Sequence, residues 1–418
     1  MAKCVIRGET IEHPGSRQDL GKVDISGIDK GEVFETDGFN TQNGPICKKC
    51  TPIYDEALAR VESADPFLSP KKLRKAVKEL IEDPAFVAEV IRDRTRTELE
   101  QAVSNIELQF PLEKQFLLHL RGLIKPPETS SPPVTDTTLP QGMLSPDEAS
   151  ACLLDEERSS AFIEAFLAKL KKLEKDRESV EIVDAGCGPI PIFGILAAIR
   201  SPKAKVTCLE INPASAQMAE EIIKYLGLED QVKVVLTDAT TYKHNSKIDL
   251  LISETMYAGL INEPQIQIMR NLVPQVRQTG TIIPEEITVE ASLIPPYDKT
   301  GFPAFKDNNT GNIPILDKHF VLTPATVANY TRNQLEGPIS FELDVSDIPD
   351  GHYHVTLGSS LRLGKNAQGE EIHLDGIASP ITAHQPIINR VQISAATKKV
   401  LLQYEPGENL VKIHPTTT

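Results

Sequence analysis

No run of about 18 apolar residues occurs in this 418-residue sequence, so no transmembrane helix is expected. The opening residues, Met1 to Arg7, interleave Lys3 and Arg7 with Cys4, Val5 and Ile6 and lack the continuous apolar stretch of a secretory signal. A cytoplasmic location, with no membrane partner, is the resulting expectation. Basic residues are in short supply: 44 Lys and Arg face 59 Asp and Glu, a formal net charge of −15. Neutralising phosphates needs a basic surface, so no nucleic-acid partner is expected. The acidic balance fits a cationic substrate and fits plain solubility equally well. Six scattered cysteines in so long a chain argue against a disulfide framework. Cys152, Cys187 and Cys208 fall in predicted helix and strand interiors, where a reduced thiol acts as a small hydrophobe.

What is present points to several domains. Residues 1–51 are polar and glycine-rich, and from there to Leu123 the pattern turns helical. Ser69-Pro70 and Asp83-Pro84 are start signals, each followed by apolar residues at helical spacing. A third helix is expected over Glu113–Leu123. The Pro-, Ser- and Thr-rich stretch 125–144 has the composition of a linker, closing an N-terminal module over 1–124. Ser145-Pro146-Asp147-Glu148 then opens a helix with a capping box, and that helix is expected to run on through Leu153, Leu154, Phe162 and Phe166. Strands at Val180–Asp184, Lys205–Glu210, Val232–Thr237 and Asp249–Ser253 alternate with helices at Ile192–Arg200 and Ala214–Leu226. That alternation predicts a doubly wound parallel sheet. From Thr279 onward, short alternating runs such as Ile287–Leu293 and Ser340–Val345 predict an antiparallel β domain, barrel or sandwich.

A third glycine is missing where a dinucleotide site would have one. Val183-Asp184-Ala185-Gly186-Cys187-Gly188-Pro189 closes the first strand, and Pro191 occupies the third-glycine position. Gly186 and Gly188 let the backbone pass beneath a nucleotide-like ligand where a Cβ would clash. Asp184 precedes the first glycine, Glu210 ends the second strand and Asp238 ends the third. Glycines and strand-end acids of this kind favour S-adenosyl-L-methionine, whose methionine end is cationic, over a pyrophosphate cofactor. Glu210 is placed for ribose hydroxyls and Asp238 for the adenine amino group.

The fourth strand runs into Ser253-Glu254-Thr255-Met256-Tyr257-Ala258-Gly259-Leu260-Ile261-Asn262-Glu263. Here the sequence resembles the protein arginine methyltransferases, whose double-glutamate loop reads Ser-Glu-x-Met, then Leu, then a second Glu nine positions after the first. Gly280-Thr281-Ile282-Ile283-Pro284 is similar to the family's Gly-x-x-x-Pro lead into its β-barrel. Asp155-Glu156-Glu157-Arg158 is similar to the stretch whose Arg holds the cofactor carboxylate. The resemblance implies a Rossmann-like cofactor-binding domain over 145–283 and a β-barrel substrate domain over 284–418, an α/β + β chain with a helical N-terminal module. It also implies S-adenosylmethionine-dependent N-methylation of a guanidino group and an arm-mediated homodimer, with residues 298–335 as candidate arm.

Physical chemistry fits those roles. A guanidinium stays protonated and is a poor nucleophile. Two carboxylates, Glu254 and Glu263, can hold its N–H fork, bias charge toward the nitrogens they touch and leave one nitrogen free to attack. Met256 would limit the space around that nitrogen. His384, in Thr382-Ala383-His384-Gln385, is the nearest match to the family's Thr-His-Trp loop, as an orienting or proton-accepting group. The chain has no Trp, and 143–157 lacks the aromatics the family carries before its Arg. These departures keep free arginine or another small guanidino compound open beside a peptide. Methylation of a different metabolite, or a non-catalytic interaction role on this scaffold, are the rival readings. At the N-terminus, Cys47-Lys48-Lys49-Cys50 has zinc-ligand spacing and Cys4 is a candidate third ligand, against the alternatives of a degraded knuckle or free thiols.

Overall fold

The computed structural model describes residues 38–41, 44–47, 51–66, 68–106, 114–124, 143–260, 263–294, 315–323, 339–346, 348, 350–375, 385–394, 396–404 and 411–417. The chain divides into two compact units, Met1–Glu98 and Leu99–Thr418. The sequence places a linker at 125–144. The compact units instead part at Glu98/Leu99, and residues 125–142 lie outside the described residues.

In the first unit, β1 (Gly38–Thr41) and β2 (Gly44–Cys47) form an antiparallel pair, followed by α1 (Thr51–Ala64), α2 (Pro70–Ile81) and the start of α3 (Pro84–Ile106). Ser69 is the N-cap of α2, and Asp83 Oδ1 accepts the Ala85 N–H at the start of α3, as those start signals predict. Ile53, Ala57, Val61, Val77, Ile81, Phe86 and Val90 bury a small core. Arg60 braces it from outside, reaching Glu56 and Glu89 at 2.9 Å each. Cys4 and Cys50 lie outside the described residues. Among the described residues no group of three or more His, Cys, Asp or Glu could hold a metal ion.

The second unit continues with α4 (Lys114–Leu123), α5 (Pro146–Ala151) and α6 (Glu156–Lys175). The capping box at Ser145 forms in full: Ser145 Oγ accepts the Glu148 N–H, and Glu148 reaches back to Ser145 N at 2.9 Å. The helix it opens does not run on to Phe166. It tightens into a 3-10 turn over Cys152–Leu154 and breaks at Asp155, which recaps α6 by accepting the Arg158 N–H at 3.2 Å. An acid able to cap competes with its own helix interior, and here the cap wins.

Next come β3 (Val180–Ala185), α7 (Ile192–Arg200), β4 (Ala204–Glu210), α8 (Pro213–Leu226), β5 (Val232–Leu236), β6 (Ile248–Ser253), α9 (Gln265–Leu272) and β7 (Val276–Ile283). The five strands form one parallel sheet in the order β5-β4-β3-β6-β7. β6 is buried at every position and β3 at all but one, as covered parallel strands must be. Strand order reverses between β3 and β6, and the crevice at their carboxyl ends is where an open α/β sheet receives a ligand. β7 was not anticipated as a parallel strand, because its polar Gln278-Thr279-Gly280-Thr281 lies on an exposed edge.

The remaining strands are antiparallel: β8 (Glu286–Ile294), β9 (Ile315–Leu322), β10 (Ile339–Asp344), β11 (Gly351–Lys365), β12 (Glu371–Leu374), β13 (Gln385–Ile393), β14 (Thr397–Tyr404) and β15 (Val411–Thr417). Among the described residues these strands form two open sheets, β10-β14-β15 and β12-β11-β8-β9, with β13 paired to the first part of β11. β9 lies near β10 and β13 near β15, yet no hydrogen-bonded ladder crosses either seam among the described residues. The outer edge of β11 is shared between β13, over Gly351–Leu357, and β12, over Leu361–Lys365, and each ladder carries one register shift, at His354/Thr356 and Arg362/Gly364. No described helix is long and apolar enough to cross a membrane.

Candidate functional site

The crevice at the switch point is lined from the carboxyl ends of β3, β4, β5 and β6. Gly186 and Gly188 have φ of +80° and +65°, a region that a side chain disfavours. A Cβ on Gly186 would stand 2.2 Å from Thr255 Cγ2, so the glycine loop lies against the loop after β6. Glu210 is 7% exposed and holds the same loop: its Oε2 accepts Gly188 N–H at 2.9 Å and its Oε1 accepts Asn212 N–H at 2.7 Å. Burial raises its carboxyl, against the lowering effect of those backbone donors. Asp238 accepts the Thr240 N–H at 2.8 Å and lines the cleft beside Glu210. Asp184 is 2% exposed, and its Oδ2 has no hydrogen-bond partner. Burial, with repulsion from Glu210 and Glu254, pushes its carboxyl up to about 8.

Both loop acids reach this crevice. Glu254 follows β6 directly, Glu263 precedes α9, and the two line the cleft together with Arg158, Asp184, Gly186, Gly188 and Met256. Arg158 Nη1 donates to Glu254 Oε1 at 3.2 Å, its Nη2 donates to the Cys152 carbonyl at 2.9 Å, and its Nε lies 3.6 Å from Asp155. The sequence gives Arg158 and Glu254 different ligands, and the structure pairs them with each other. Burial raises the Glu254 carboxyl, while the neighbouring Arg158 pulls it down. Glu263 is pushed up to about 8 by burial and then by Glu254, with Arg158 opposing. Met256 is 2% exposed and forms part of the wall. His384 lies outside the described residues.

Several contributors were not singled out from sequence. Cys152 and Leu153 line the cleft because the turn before Asp155 brings them there. Leu144 lines it too, held by its carbonyl, which accepts from Asn212 Nδ2 at 2.9 Å. Gln265, fully buried, bonds Ser253 and Thr255 on either side of Glu254. From the β domain, Ser359 Oγ accepts the Gly259 N–H at 2.8 Å. The capping box was the one advance signal among these, because it fixes where Leu144 enters. The rest depend on contacts between segments distant in sequence.

A sequence profile described as PRMT5 arginine-N-methyltransferase matches residues 156–266, which span Arg158 through Glu263. An uncharacterised protein of Methanocaldococcus jannaschii is 32% identical over 116 residues, 27% of this chain and 43% of that one. Protein arginine N-methyltransferase 7 of Aedes aegypti is 26% identical over 149 residues, 34% of this chain and 21% of that one. The chain thus spans less than half the length of either relative. Among solved structures, the Trypanosoma brucei PRMT1 enzyme-prozyme heterotetrameric complex with AdoHcy is similar at a TM-score of 0.43 and 15% identity, covering 60% of this chain and 85% of that one. The likeness to the arginine-N-methyltransferase profile is thus carried by residues 156–266, the stretch that holds both loop acids and Arg158.

Proposed function

We propose that the chain is an S-adenosyl-L-methionine-dependent N-methyltransferase acting on a guanidino group, that of arginine either free or within a peptide. The observation that carries the reading is the Arg158 guanidinium donating to Glu254 at 3.2 Å in a cleft that also holds Glu263. Two carboxylates whose neutral forms are favoured by burial gain most from an arriving cation, and Arg158 already draws Glu254 toward its charged form.

The crevice residues fit the cofactor. Gly186 and Gly188 leave the floor free of side chains, Glu210 and Asp238 stand at the β4 and β5 ends, and the unpartnered Oδ2 of Asp184 suits a cationic amino group. Arg158 suits a carboxylate. When bound, the cofactor supplies a methyl group on a cationic sulfur. The chain's own residues do the rest. Glu254 and Glu263 accept N–H bonds from the substrate guanidinium and draw its charge toward two nitrogens, leaving the third to attack. Met256 bounds the space around that third nitrogen. An arriving guanidinium draws Glu263 into its charged form, and the burial that raises this carboxyl makes the resulting anion suited to take the proton that the methylated nitrogen must lose. His384 is proposed, by resemblance, as an orienting or second proton-accepting group.

The test is methyl transfer from labelled S-adenosylmethionine to free arginine, small guanidines and an arginine-rich peptide, with wild type and Glu254→Gln side by side. The amide keeps the shape and loses the charge, so transfer is expected to fall by about 100-fold or more. Cofactor affinity is read separately by calorimetry. A Glu254→Gln protein that still methylates a guanidine removes the clamp assignment, and a wild type that labels none of the acceptors removes the guanidino reading.

A further inference from the structure

Two acids nine residues apart act as one clamp only if something fixes the distance between their segments. Glu254 sits in an irregular stretch after β6, and Glu263 precedes α9. The link between them is Gln265, the first residue of α9 and fully buried. Its Oε1 accepts from Ser253 Oγ at 3.0 Å, from Thr255 Oγ1 at 2.5 Å and from Thr255 N–H at 3.3 Å. Its Nε2 donates to the Ser253 carbonyl at 3.3 Å. The amide orientation is dictated by chemistry: a backbone N–H can only donate and a carbonyl can only accept, so oxygen must face Thr255 N and nitrogen must face Ser253 O. One side chain, two residues beyond Glu263, therefore holds the backbone on both sides of Glu254.

The same linkage reaches the glycine loop, since Thr255, gripped through its hydroxyl and N–H, packs its methyl against Gly186. Glutamine is the right length and type for the task. Asparagine would fall short by a methylene, and a carboxylate would offer no proton to the Ser253 carbonyl.

Resting on the methyl-transfer reading above, we propose that Gln265 is a positioning residue that fixes the separation and aim of the Glu254–Glu263 pair. It touches neither substrate nor cofactor and acts through Ser253 and Thr255. Glu263 is sensitive to that separation: it faces Glu254 from the loop after β6 and Arg158 from α6, and shares its cleft with Lys114, Glu148, Cys152 and Asp155–Glu157.

The experiment compares Gln265→Leu and Gln265→Glu in the full chain. Leucine removes all four bonds at similar volume, and kcat for the guanidino acceptor is expected to fall about 10- to 100-fold. The Kd for S-adenosylmethionine by calorimetry should change far less. In Gln265→Glu the introduced carboxyl copies the amide only while protonated, so its rate relative to wild type should fall as pH rises, whereas the leucine ratio stays flat. A merely structural role would give two flat ratios.

A readout independent of activity is the Glu263 carboxyl followed by carbon-13 NMR, which should titrate lower in Gln265→Leu as repulsion from Glu254 slackens. Wild-type kcat in the leucine variant, or an unmoved Glu263 titration, overturns the assignment. If leucine prevents folding, the pH dependence of Gln265→Glu decides. If wild type transfers no methyl to any guanidine, the functional reading fails by itself, and the NMR titration alone decides for or against Gln265.

Discussion

At the scale of the residue, the site is a set of acids whose burial favours their neutral forms. Asp184 and Glu263 both stand near 8 in the folded chain, against 3.8 and 4.5 for the free groups. Between those limits the folded state holds protons that the unfolded chain has released. Their stabilising effect is therefore complete below about pH 4 and is lost as pH rises through about 8. Replacing Glu263 with Gln removes its charge at every pH. The variant should match wild-type melting near pH 4 and melt at a higher temperature than wild type above about pH 8. It should lose guanidine methylation at the same time. A calorimetric comparison across pH checks this, and a variant no more stable than wild type in alkaline buffer contradicts the penalty that burial, and then Glu254, places on the charged Glu263 carboxylate. Stability given up at a working site is the usual trade.

At the scale of the element, β3 was legible to within one residue at its carboxyl end, because an apolar run closed by Asp184 and followed by two glycines leaves few other conformations. α7 and the capping box at Ser145 were read to the residue for the same reason: local chemistry determines both. The break at Asp155 was not legible, since helix and cap were both consistent with the local pattern and only tertiary packing decided between them. Gln265 was invisible because its partners, Ser253 and Thr255, lie across a loop. Barrel closure was not legible either, because it depends on ladders between strands far apart in sequence, which alternation cannot encode. The glycine loop also yields a prediction. Gly186→Ala should weaken S-adenosylmethionine binding about tenfold or more, since the new methyl would sit on Thr255 Cγ2 at a left-handed backbone position. Adding Thr255→Ser removes that methyl partner but not the backbone strain. The double variant should therefore recover part of the affinity and never all of it. Full recovery, measured by calorimetry, would assign the whole defect to the clash.

At the scale of the molecule, the β domain does more than follow the parallel sheet in sequence. β11 reaches the loop between the two acids. Ser359 Oγ accepts the Gly259 N–H at 2.8 Å, and a Cβ on Gly259 would stand 2.5 Å from Leu357 Cβ. Gly259 has φ +69°, and Leu260, although not a glycine, has φ +56° and is 2% exposed. Left-handed backbone at a buried leucine is costly and persists only where neighbours over-determine it. The β domain supplies neighbours there, so it holds the acid loop at Gly259 while the parallel sheet holds the glycine loop. The two functions should separate experimentally. Ser359→Ala leaves the Gly259 N–H buried without its acceptor, at about 1–3 kcal/mol, and that penalty falls on the acid loop. Methyl transfer to a guanidino acceptor should drop several-fold to about tenfold, while cofactor Kd stays near wild type. Loss of cofactor affinity equal to the loss of rate would mean that the β domain supports the crevice as a whole and not the clamp in particular.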